Sequence, residues 1–243
     1  MNLCIDEGNS RTKVAVFDDE SIIFSEVVDQ LNVAKLSSLI REYDITSGIL
    51  SSVISTDEEL VKFLTEQLHD FIVLDHNTLL PIKNTYRTPA TLGKDRLAAI
   101  VGANALLPAD DVLVIDAGTA ITYDFIDSKG VYIGGNIAPG IELRLKALNS
   151  FTNKLPLVPV NCEVELLGTD TTSAIQAGVL YGIVFEIDGF IERLMLKYPK
   201  LSVFLTGGSA VCFENKLKNC IFANANLVVT GLNRILKYNV KNT

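Results

Sequence analysis

The sequence contains no tryptophan and only two histidines and two methionines. His69 and His76 lie on either side of a predicted strand end, where surface or loop positions are expected, so neither a histidine metal site nor a histidine base is predicted. The four cysteines show no C-x-x-C pair and no spacing typical of zinc ligands. Cys4 lies in an apolar strand pattern, which predicts a buried and inert thiol.

Long uninterrupted hydrophobic runs are also missing. The longest apolar stretch, Ala174 to Met195, is interrupted by four charged residues, Glu186, Asp188, Glu192 and Arg193. It is therefore not predicted to span a membrane. Met1 leads directly into strand-like sequence, without the basic and apolar segments of a secretory signal. We expect a cytoplasmic protein with no membrane partner.

Positive charge is scarce relative to negative charge. The chain has 21 Lys and Arg against 29 Asp and Glu, which gives a formal net charge of −8. An acidic surface repels the phosphate backbone of nucleic acids, so general nucleic-acid binding is not expected. A nucleotide ligand is still compatible with this charge, because Mg²⁺ and backbone amides can neutralise one triphosphate locally.

The 243 residues have a globular composition, 48% hydrophobic and 21% charged, and part of the sequence is repeated. The segment 3–9, LCIDEGN, recurs at 113–119 as LVIDAGT, and at the same offset of 110 positions Thr12 aligns with Thr122. In both copies two further runs rich in Val, Ile, Phe and Tyr follow, which predicts three strands per copy. We interpret the repeat as a duplicated domain.

Helical and strand patterns alternate after the first three strands, as expected for helices packed on the faces of a sheet. Leu31 to Glu42 has a helical apolar face, and a second helix is predicted to begin at a cap formed by Ser55 or Thr56. Pro81 to Gly93 lacks periodicity and is predicted to be a long, functional loop.

The domain boundary is predicted where the first half ends in a helix. This helix, Arg96 to Leu107, is followed by Pro108, which cannot continue it. We therefore predict an N-terminal domain, 1–108, and a C-terminal domain, 109–243.

The Asp-x-Gly turn after the first strand is the first candidate site. Asp6 ends the strand, Gly8 permits a tight turn, and small polar residues and Lys13 follow. The amides of such a turn can bind phosphate oxygens, and the Asp can hold Mg²⁺ or its waters. An ordinary β-hairpin uses the same residue types, but the second copy at Asp116 favours phosphate binding.

The second candidate site is the segment Gly93-Lys94-Asp95-Arg96 at a predicted helix start. In the functional interpretation, Gly93 lets the backbone approach a small anion, Arg96 binds a carboxylate with two hydrogen bonds, and Asp95 accepts a hydroxyl proton. The alternative is a structural helix cap with ion pairing.

Two weaker motifs lie further along the chain. Thr171 stands at the predicted start of a long apolar helix, where it and Asp170 can simply cap the helix. The segment 206–208, Thr-Gly-Gly, follows a predicted strand, and a glycine pair at this position admits a flat ring against the backbone.

Together these motifs resemble those of the type III pantothenate kinases, and they occur in the family's order over almost the whole chain. They comprise two phosphate motifs, a G-x-D-R pantothenate motif, a T-x-x-A-I-x-x-G segment and an adenosine turn. The matching residues are, in chain order, Asp6–Ser10, Tyr86 and Pro89 with Gly93–Arg96, Asp116–Ala120, Thr171 with Ala174, Ile175 and Gly178, and Thr206–Gly208.

The resemblance implies an α/β fold of the duplicated, actin-like type shared by acetate and sugar kinases, Hsp70 and actin, with ATP in the cleft between two domains. It implies ATP-dependent phosphorylation of pantothenate to 4'-phosphopantothenate, the first step of coenzyme A biosynthesis. Mg²⁺ and a monovalent cation, K⁺ or NH₄⁺, would take part. A homodimer is also implied, and Gly178 and Gly182, four positions apart, would allow close helix contact. The alternative is that this helix is a central helix buried within one subunit.

The resemblance also assigns roles to individual residues. Asp95 would be the general base, and Asp116 would bind the monovalent cation. Pantothenate would contact Tyr86, Gly93, Lys94, Asp95, Arg96 and Thr171. ATP would contact Asp6, Glu7, Gly8, Asn9, Ser10, Arg11, Thr12, Lys13 and Thr119, with Asp6 also a candidate for the Mg²⁺ shell.

Two rival functions belong to different classes. A related kinase or phosphatase with another substrate is disfavoured by the G-x-D-R segment and the short chain. A non-enzymatic regulator is the other rival, because some proteins of the resembling family were first described as accessory factors in transcription. It is disfavoured because Asp6 and Asp95 are retained and no basic helix-turn-helix is present.

Overall fold

The computed structural model describes residues 1–9, 11–54 and 57–242, which form two compact units. The first unit is built from the described residues of Met1–Ala109, Lys129–Ile133 and Asn226–Thr243, and the second from Asp110–Ser128 and Gly134–Ala225. The predicted domains 1–108 and 109–243 stay a prediction. The compact units differ from those ranges because the C-terminal residues pack with the first unit.

The first unit contains a five-stranded sheet with the order β3-β2-β1-β4-β5. The strands are β1 (Asn2–Glu7), β2 (Thr12–Asp18), β3 (Ser21–Val28), β4 (Ser47–Ser52) and β5 (Asp70–Val73). β1, β2 and β3 form an antiparallel meander, whereas β4 runs parallel to both β1 and β5. The predicted long loop contains a further short strand, β6 (Lys83–Asn84), and a 3₁₀ turn, Pro89–Thr91.

Among the described residues, four helices pack in the first unit. α1 (Val33–Glu42) and α2 (Glu58–Gln67) begin at side-chain caps, Asn32 and Asp57. Ser55 and Thr56, the predicted caps of α2, lie outside the described residues. The other two helices, α3 (Lys94–Leu106) and α6 (Leu227–Asn242), pack against each other, and α6 also contacts β1, β2 and β4.

Two glycines allow the close approach of α3 and α6. A Cβ atom at Gly231 would overlap the carbonyl group of Ala98, and one at Gly102 would overlap the carbonyl group of Leu227. Backbone therefore meets backbone at this crossing. The tight packing explains why the C-terminal helix belongs to the first unit rather than to the second.

The second unit contains a sheet with the order β11-β10-β7-β8-β9. The strands are β7 (Val112–Ala117), β8 (Ala120–Ile126), β9 (Val131–Pro139), β10 (Ser202–Thr206) and β11 (Phe222–Ala223). Two helices, α4 (Ile141–Ser150) and α5 (Thr171–Met195), connect β9 to β10. The first residues of β9 belong to the first unit, where Val131 and Tyr132 pair in parallel with β6.

α5 is the central helix of the second unit. Its buried residues Ile183, Ile187 and Ile191 belong to one hydrophobic core with Leu113 and Ile115 of β7. By length and composition α5 could cross a membrane, with a mean hydropathy of 1.5 in its most apolar window, but 56% of that window is buried inside the structure. The position of α5 in the core therefore accounts for the buried part of this apolar stretch.

The two units repeat one strand topology, as the sequence repeat predicts. In each half of the chain three consecutive strands, the first two of them antiparallel, are followed by two strands that pair in parallel and then by a helix, α3 or α6. Lys13 lies opposite Asp6, and Thr122 lies opposite Asp116. The alignment of Thr12 with Thr122 is therefore wrong, because six residues separate Asp6 from Lys13 and only five separate Asp116 from Thr122.

The cysteines fall into two groups. Cys4 is fully buried and free, as predicted, and burial raises the pKa of its thiol well above the ordinary value. Cys220 is free and exposed. Cys162 and Cys212, 50 positions apart, form a disulfide within the second unit that their spacing in the sequence did not indicate.

Candidate active site

The turn after β1 places Asp6 at the end of the first sheet. Asp6 lies between Lys13 of β2 and Ser51 of β4 in the strand register. Burial lowers the pKa of Lys13, and the negative charge of Asp6 opposes this shift. Ser51 is fully buried, and its Oγ has no hydrogen-bond partner among the described residues. An acid, a base and an unsatisfied hydroxyl therefore meet at this strand end.

The backbone of this turn is held by two hydrogen bonds. Gly8 N donates to Arg11 O at 3.0 Å, and Val53 N donates to Glu7 O at 3.1 Å. A Cβ atom at Gly8 would lie only 3.2 Å from Arg11 O. Of the residues predicted to contact ATP here, Glu7 and Gly8 are half-buried, Thr12 is buried, Asn9 and Arg11 are exposed, and Ser10 lies outside the described residues.

The turn after β7 places Asp116 in the corresponding position of the second unit. Asp116 lies between Thr122 of β8 and Thr206 of β10. Gly207 has a φ angle of +94°, and a Cβ atom there would overlap the Asp116 carboxylate. The Thr-Gly-Gly motif therefore makes room for Asp116. The buried Oγ1 of Thr122 has no hydrogen-bond partner among the described residues.

Gly118 and Thr119 form the tip of the Asp116 turn. Gly118 N donates to Ala120 O at 3.0 Å, and Thr119 is exposed. Gly140, at the start of α4, packs directly on this tip and donates its N–H to Thr119 O at 3.0 Å. A Cβ atom at Gly140 would overlap the carbonyl oxygen of Gly118, so only glycine fits there.

The start of α3 brings Gly93, Lys94, Asp95 and Arg96 together. Gly93 is the N-cap residue, without a side-chain cap, and Asp95 lies in the first turn. The Oδ1 atom of Asp95 accepts a hydrogen bond from Arg96 N at 2.8 Å. A Cβ atom at Gly93 would lie 2.5 Å from this oxygen, so glycine gives the Asp95 carboxylate its space. Asp95 is thus not the helix cap of the structural alternative.

Arg96 contacts two tyrosines. Its side chain is buried, with 6% of the residue exposed, and its guanidinium carbon is 5.8 Å from the centre of the Tyr86 ring. Its Nη2 atom is 3.4 Å from the hydroxyl of Tyr132. The rings of Tyr86 and Tyr132 stack with centroids 6.1 Å apart. Tyr86, Arg96 and Tyr132 therefore form one packed group.

Tyr132 is the member of this group that sequence reasoning missed. It is fully buried and lies on β9, and the pairing of β6 with β9 brings it beside Tyr86. The Thr85 hydroxyl donates to Tyr132 O at 2.7 Å, which fixes this pairing. No local pattern around Tyr132 indicates the contact, because it depends on a two-residue strand within the predicted loop.

Thr171 lies in the second unit, at the first position of α5. The helix cap is Asp170, whose carboxylate accepts from Ser173 N at 3.0 Å, and hydrogen bonds from Ser173 lower the pKa of Asp170. Thr171 is therefore not used as the cap. It is exposed and borders an apolar cleft of about 770 Å³ between α4 and α5, whose lining includes Arg144, Leu148, Phe151, Ile175 and Gly178.

The candidate metal positions offer single carboxylates. Among residues 1–9, 11–54 and 57–242, no group of three or more His, Cys, Asp or Glu is placed to hold a metal ion. Such a donor set does not suit a metal held by protein ligands alone. It suits Mg²⁺ that takes most of its ligands from water and from nucleotide phosphates.

Known proteins resemble this chain in sequence. The family model described as type III pantothenate kinase matches residues 2–193. A type III pantothenate kinase of Phocaeicola vulgatus is 49% identical over 241 residues, which cover 99% of this chain and 100% of that protein.

Solved structures also match over almost the whole chain. A Campylobacter jejuni protein described as a Baf family transcriptional activator has a TM-score of 0.60 at 26% identity, covering 98% of this chain and 99% of that one. A Sinorhizobium meliloti protein described as a 2-dehydro-3-deoxygalactonokinase has the same TM-score and coverage at 12% identity. The latter match confirms the predicted fold class, that of sugar kinases and actin-like ATPases. Because the family model matches residues 2–193 and a relative matched over its full length is 49% identical, this chain belongs to the type III pantothenate kinase family.

Proposed function

We propose that this chain transfers the γ-phosphoryl group of ATP to the primary hydroxyl of pantothenate, the first step of coenzyme A biosynthesis. The observation that carries the proposal is the start of α3 in a chain of this family. There a half-buried carboxylate, Asp95, lies next to a buried guanidinium, Arg96, which contacts Tyr86 and Tyr132. This arrangement suits a small substrate with a carboxylate, an apolar centre and a hydroxyl.

Each group at the start of α3 has a separate task in this proposal. Arg96 binds the pantothenate carboxylate, and the ring of Tyr86 packs against the apolar centre of the substrate. Asp95 accepts the proton of the attacking hydroxyl. Its backbone-bonded Oδ1 fixes the carboxylate, so that Oδ2 is the oxygen available for the proton. Gly93, Lys94 and Thr171 are further proposed contacts of pantothenate.

The Asp6 turn is proposed to bind the phosphates of ATP, with contacts from Asp6 to Lys13, and Thr119 is proposed as another ATP contact. Lys13 supplies a cation beside Asp6, and the turn supplies backbone amides. When bound, Mg²⁺ neutralises phosphate charge as the phosphoryl group moves. Asp6 and the unsatisfied Ser51 hydroxyl fit the water ligands of such an ion.

Asp116 is proposed to bind a monovalent cation, K⁺ or NH₄⁺. A potassium-sized ion prefers several oxygens of low charge density, whereas Mg²⁺ requires tight octahedral geometry. Asp116 provides one carboxylate, and Thr122 and Thr206 provide hydroxyl oxygens on the two neighbouring strands. The Thr122 hydroxyl is buried without a partner among the described residues, which fits a role as a ligand.

A coupled ATP assay with purified protein tests the proposed reaction. We expect ADP release that depends on pantothenate, and 4'-phosphopantothenate as the product by mass spectrometry. Sugars and acetate serve as alternative acceptors, and supercoiled DNA in a binding assay tests the rival role in transcription. Turnover of a sugar or acetate without turnover of pantothenate would contradict the proposal.

The cation assignment has its own test. At saturating Mg²⁺, we expect activity to collapse when Na⁺ replaces K⁺ and to return with NH₄⁺. Asp116→Asn should raise the K⁺ concentration for half activity and leave the Mg²⁺ requirement nearly unchanged, because it removes the carboxylate of the proposed K⁺ site. Full activity without K⁺ or NH₄⁺, or a variant restored by Mg²⁺ alone, would return Asp116 to the Mg²⁺ shell.

A homodimer and a cytoplasmic location complete the proposal. The surface of α5 supports the dimer, because Gly178 is exposed, Gly182 is half-buried and Phe185 is 61% exposed. The location is inferred from the metabolic role of the family. The Cys162–Cys212 disulfide is unusual for the cytosol, and alkylation of the thiols in intact cells, followed by mass spectrometry, would measure its occupancy there.

A further inference from the structure

A polar network in the second unit contains no residue to which the proposed reaction gives a role. Its centre is the carboxylate of Glu186 on α5. The hydroxyl of Tyr123, on β8, donates to Oε1 of Glu186 at 2.7 Å, and Nη2 of Arg144, on α4, donates to Oε2 at 2.7 Å. Three elements of secondary structure therefore meet at one carboxylate.

The network is largely shielded from water. Tyr123 is 2% exposed, and the side chains of Arg144 and Glu186 are 21% and 27% exposed. Burial raises the pKa of Tyr123, and the hydrogen bond to Glu186 acts in the same direction, so the phenol remains a neutral donor. Hydrogen bonds to an ionised group in such surroundings are short and directional.

Arg144 extends this network to the Asp116 turn. Its Nε atom donates to the carbonyl oxygen of Pro139 at 2.7 Å. The next residue, Gly140, is the one that packs against the carbonyl groups of Gly118 and Thr119 and donates to Thr119 O. One guanidinium thus joins the fixed carboxylate of α5 to the backbone that supports the tip of the turn.

We propose that Arg144 is a positioning residue, which holds Pro139 and Gly140 against the tip formed by Gly118 and Thr119 and so sets the geometry for nucleotide and monovalent cation at Asp116. This inference rests on the proposed function of that turn. Glu186 anchors Arg144, and Tyr123 completes the coordination of the carboxylate. Without the Arg144 fork, Gly140 loses its lateral support and the tip relaxes.

The first test replaces Arg144 by Gln and measures nucleotide and cation constants separately from those of pantothenate. We expect two constants to rise about tenfold, which is the scale expected for loss of a charge-assisted hydrogen bond. One is the ATP dissociation constant, measured by fluorescence of a labelled ATP analogue in K⁺ buffer, and the other is the K⁺ concentration for half activity. The KM of pantothenate should change less than about twofold. Lys146→Gln, which breaks an exposed ion pair with Glu142 on the same helix, is the matched control and should change neither constant.

A double variant separates positioning from stability. Arg144→Gln leaves Glu186 without its cation and should lower the melting temperature, whereas Arg144→Gln with Glu186→Gln removes that unpaired charge. We expect the double variant to recover stability but to keep the raised ATP and K⁺ constants, because the bond to Pro139 O is still missing. Arg144→Lys keeps the charge but not the fork, so, like the double variant, it should keep its stability and have raised ATP and K⁺ constants.

Three results would overturn the inference. One is a double variant whose ATP constant returns to that of the wild type, and another is an unchanged ATP constant in a well-folded Arg144→Gln protein. A third is an equal loss of ATP and pantothenate affinity. ATP binding is measured without turnover, so this test does not depend on the kinase reaction. A wild-type protein that binds ATP but does not phosphorylate pantothenate would contradict the proposed function, whereas the role of Arg144 would still be decided by the ATP constants of the variants.

Discussion

The carboxylate of Asp95 is held by the backbone that follows it, since its Oδ1 accepts from Arg96 N at 2.8 Å. Asn at this position can accept the same hydrogen bond but cannot act as a base. We therefore expect Asp95→Asn to fold normally and to lose about 10²–10⁴-fold in turnover. Pantothenate binding, measured by calorimetry, should survive. Near-normal turnover by the folded variant would remove Asp95 from the role of general base.

Arg96 is predicted to bind the carboxylate of pantothenate. Arg96→Ala should weaken the binding of pantothenate strongly and the binding of pantothenol, its uncharged alcohol analogue, only slightly. Competition in the kinase assay measures both. Arg87→Ala, which removes an exposed arginine from the preceding loop, is the control and should weaken neither. An equal loss for both ligands after Arg96→Ala would mean that Arg96 supports Tyr86 and Tyr132 instead of binding the carboxylate.

At the residue scale, the sequence predicts contacts between residues of one contiguous motif, but not contacts between residues far apart along the chain. Gly93 and Arg96 are three positions apart, and the first turn of α3 brings them together without help from the rest of the chain. Tyr132 lies 36 positions from Arg96, and only the pairing of β6 with β9 brings the two together. Arg144 was missed for the same reason, because its partner Glu186 is 42 positions away.

At the element scale, the periodic segments were predicted best. The apolar face of 31–42 predicted α1, because one buried helix face leaves a clear local signal. The predicted loop 81–93 hid β6, since two residues are too few to show a period. α4 and α6 were not predicted, although α6 carries regularly spaced apolar residues such as Leu232, Ile235 and Leu236.

The crossing of α3 and α6 gives a prediction at the element scale. Gly231→Ala places a methyl group against the carbonyl of Ala98, and we expect it to lower the free energy of unfolding by about 3 kcal/mol or more. Gly189→Ala is the matched control in α5. Beyond the adjacent backbone of α5, no described atom lies within 4 Å of its added Cβ, so it should be neutral or stabilising by about 0.5–1 kcal/mol.

Urea unfolding of both variants measures these differences. A Gly231→Ala protein as stable as the control would mean that α6 does not pack as closely on α3 as the glycine geometry requires. The distinction matters for the first unit as a whole, because α6 contacts β1, the strand that ends at Asp6.

At the scale of the whole molecule, the repeat predicted that two halves share one topology, and they do. The repeat could not predict which unit receives the last helix. α3 and α6 occupy corresponding places in the two halves, but both pack in the first unit. Local periodicity shows that a helix has an apolar face, whereas complementary glycines at Gly102 and Gly231 decide which partner covers that face.

The apolar surface of α5 leads to a prediction about assembly. Gly182 and Phe185 follow Gly178 at helical spacing, and beyond the adjacent backbone of α5 no described atom lies within 4 Å of a Cβ added at either glycine. A Cβ atom at Gly182 therefore has room within one chain, and Leu also has a higher helix propensity than Gly. If two copies of α5 meet at this surface, Gly182→Leu should separate the dimer without lowering the stability of the monomer.

Light scattering coupled to size-exclusion chromatography measures this outcome. The wild type should have twice the mass of the chain, and Gly182→Leu and Phe185→Ser should both shift toward the monomer mass of 26.5 kDa. Leu79→Ser changes an equally exposed apolar residue, 55% against 61% for Phe185, in the first unit and should leave the dimer intact. Because burying a large aromatic side chain and close helix packing each contribute to association, either α5 variant should raise the dimer dissociation constant at least about tenfold. A dimer that tolerates both α5 variants must be formed through another surface, and a monomeric wild type would remove the homodimer from the proposal.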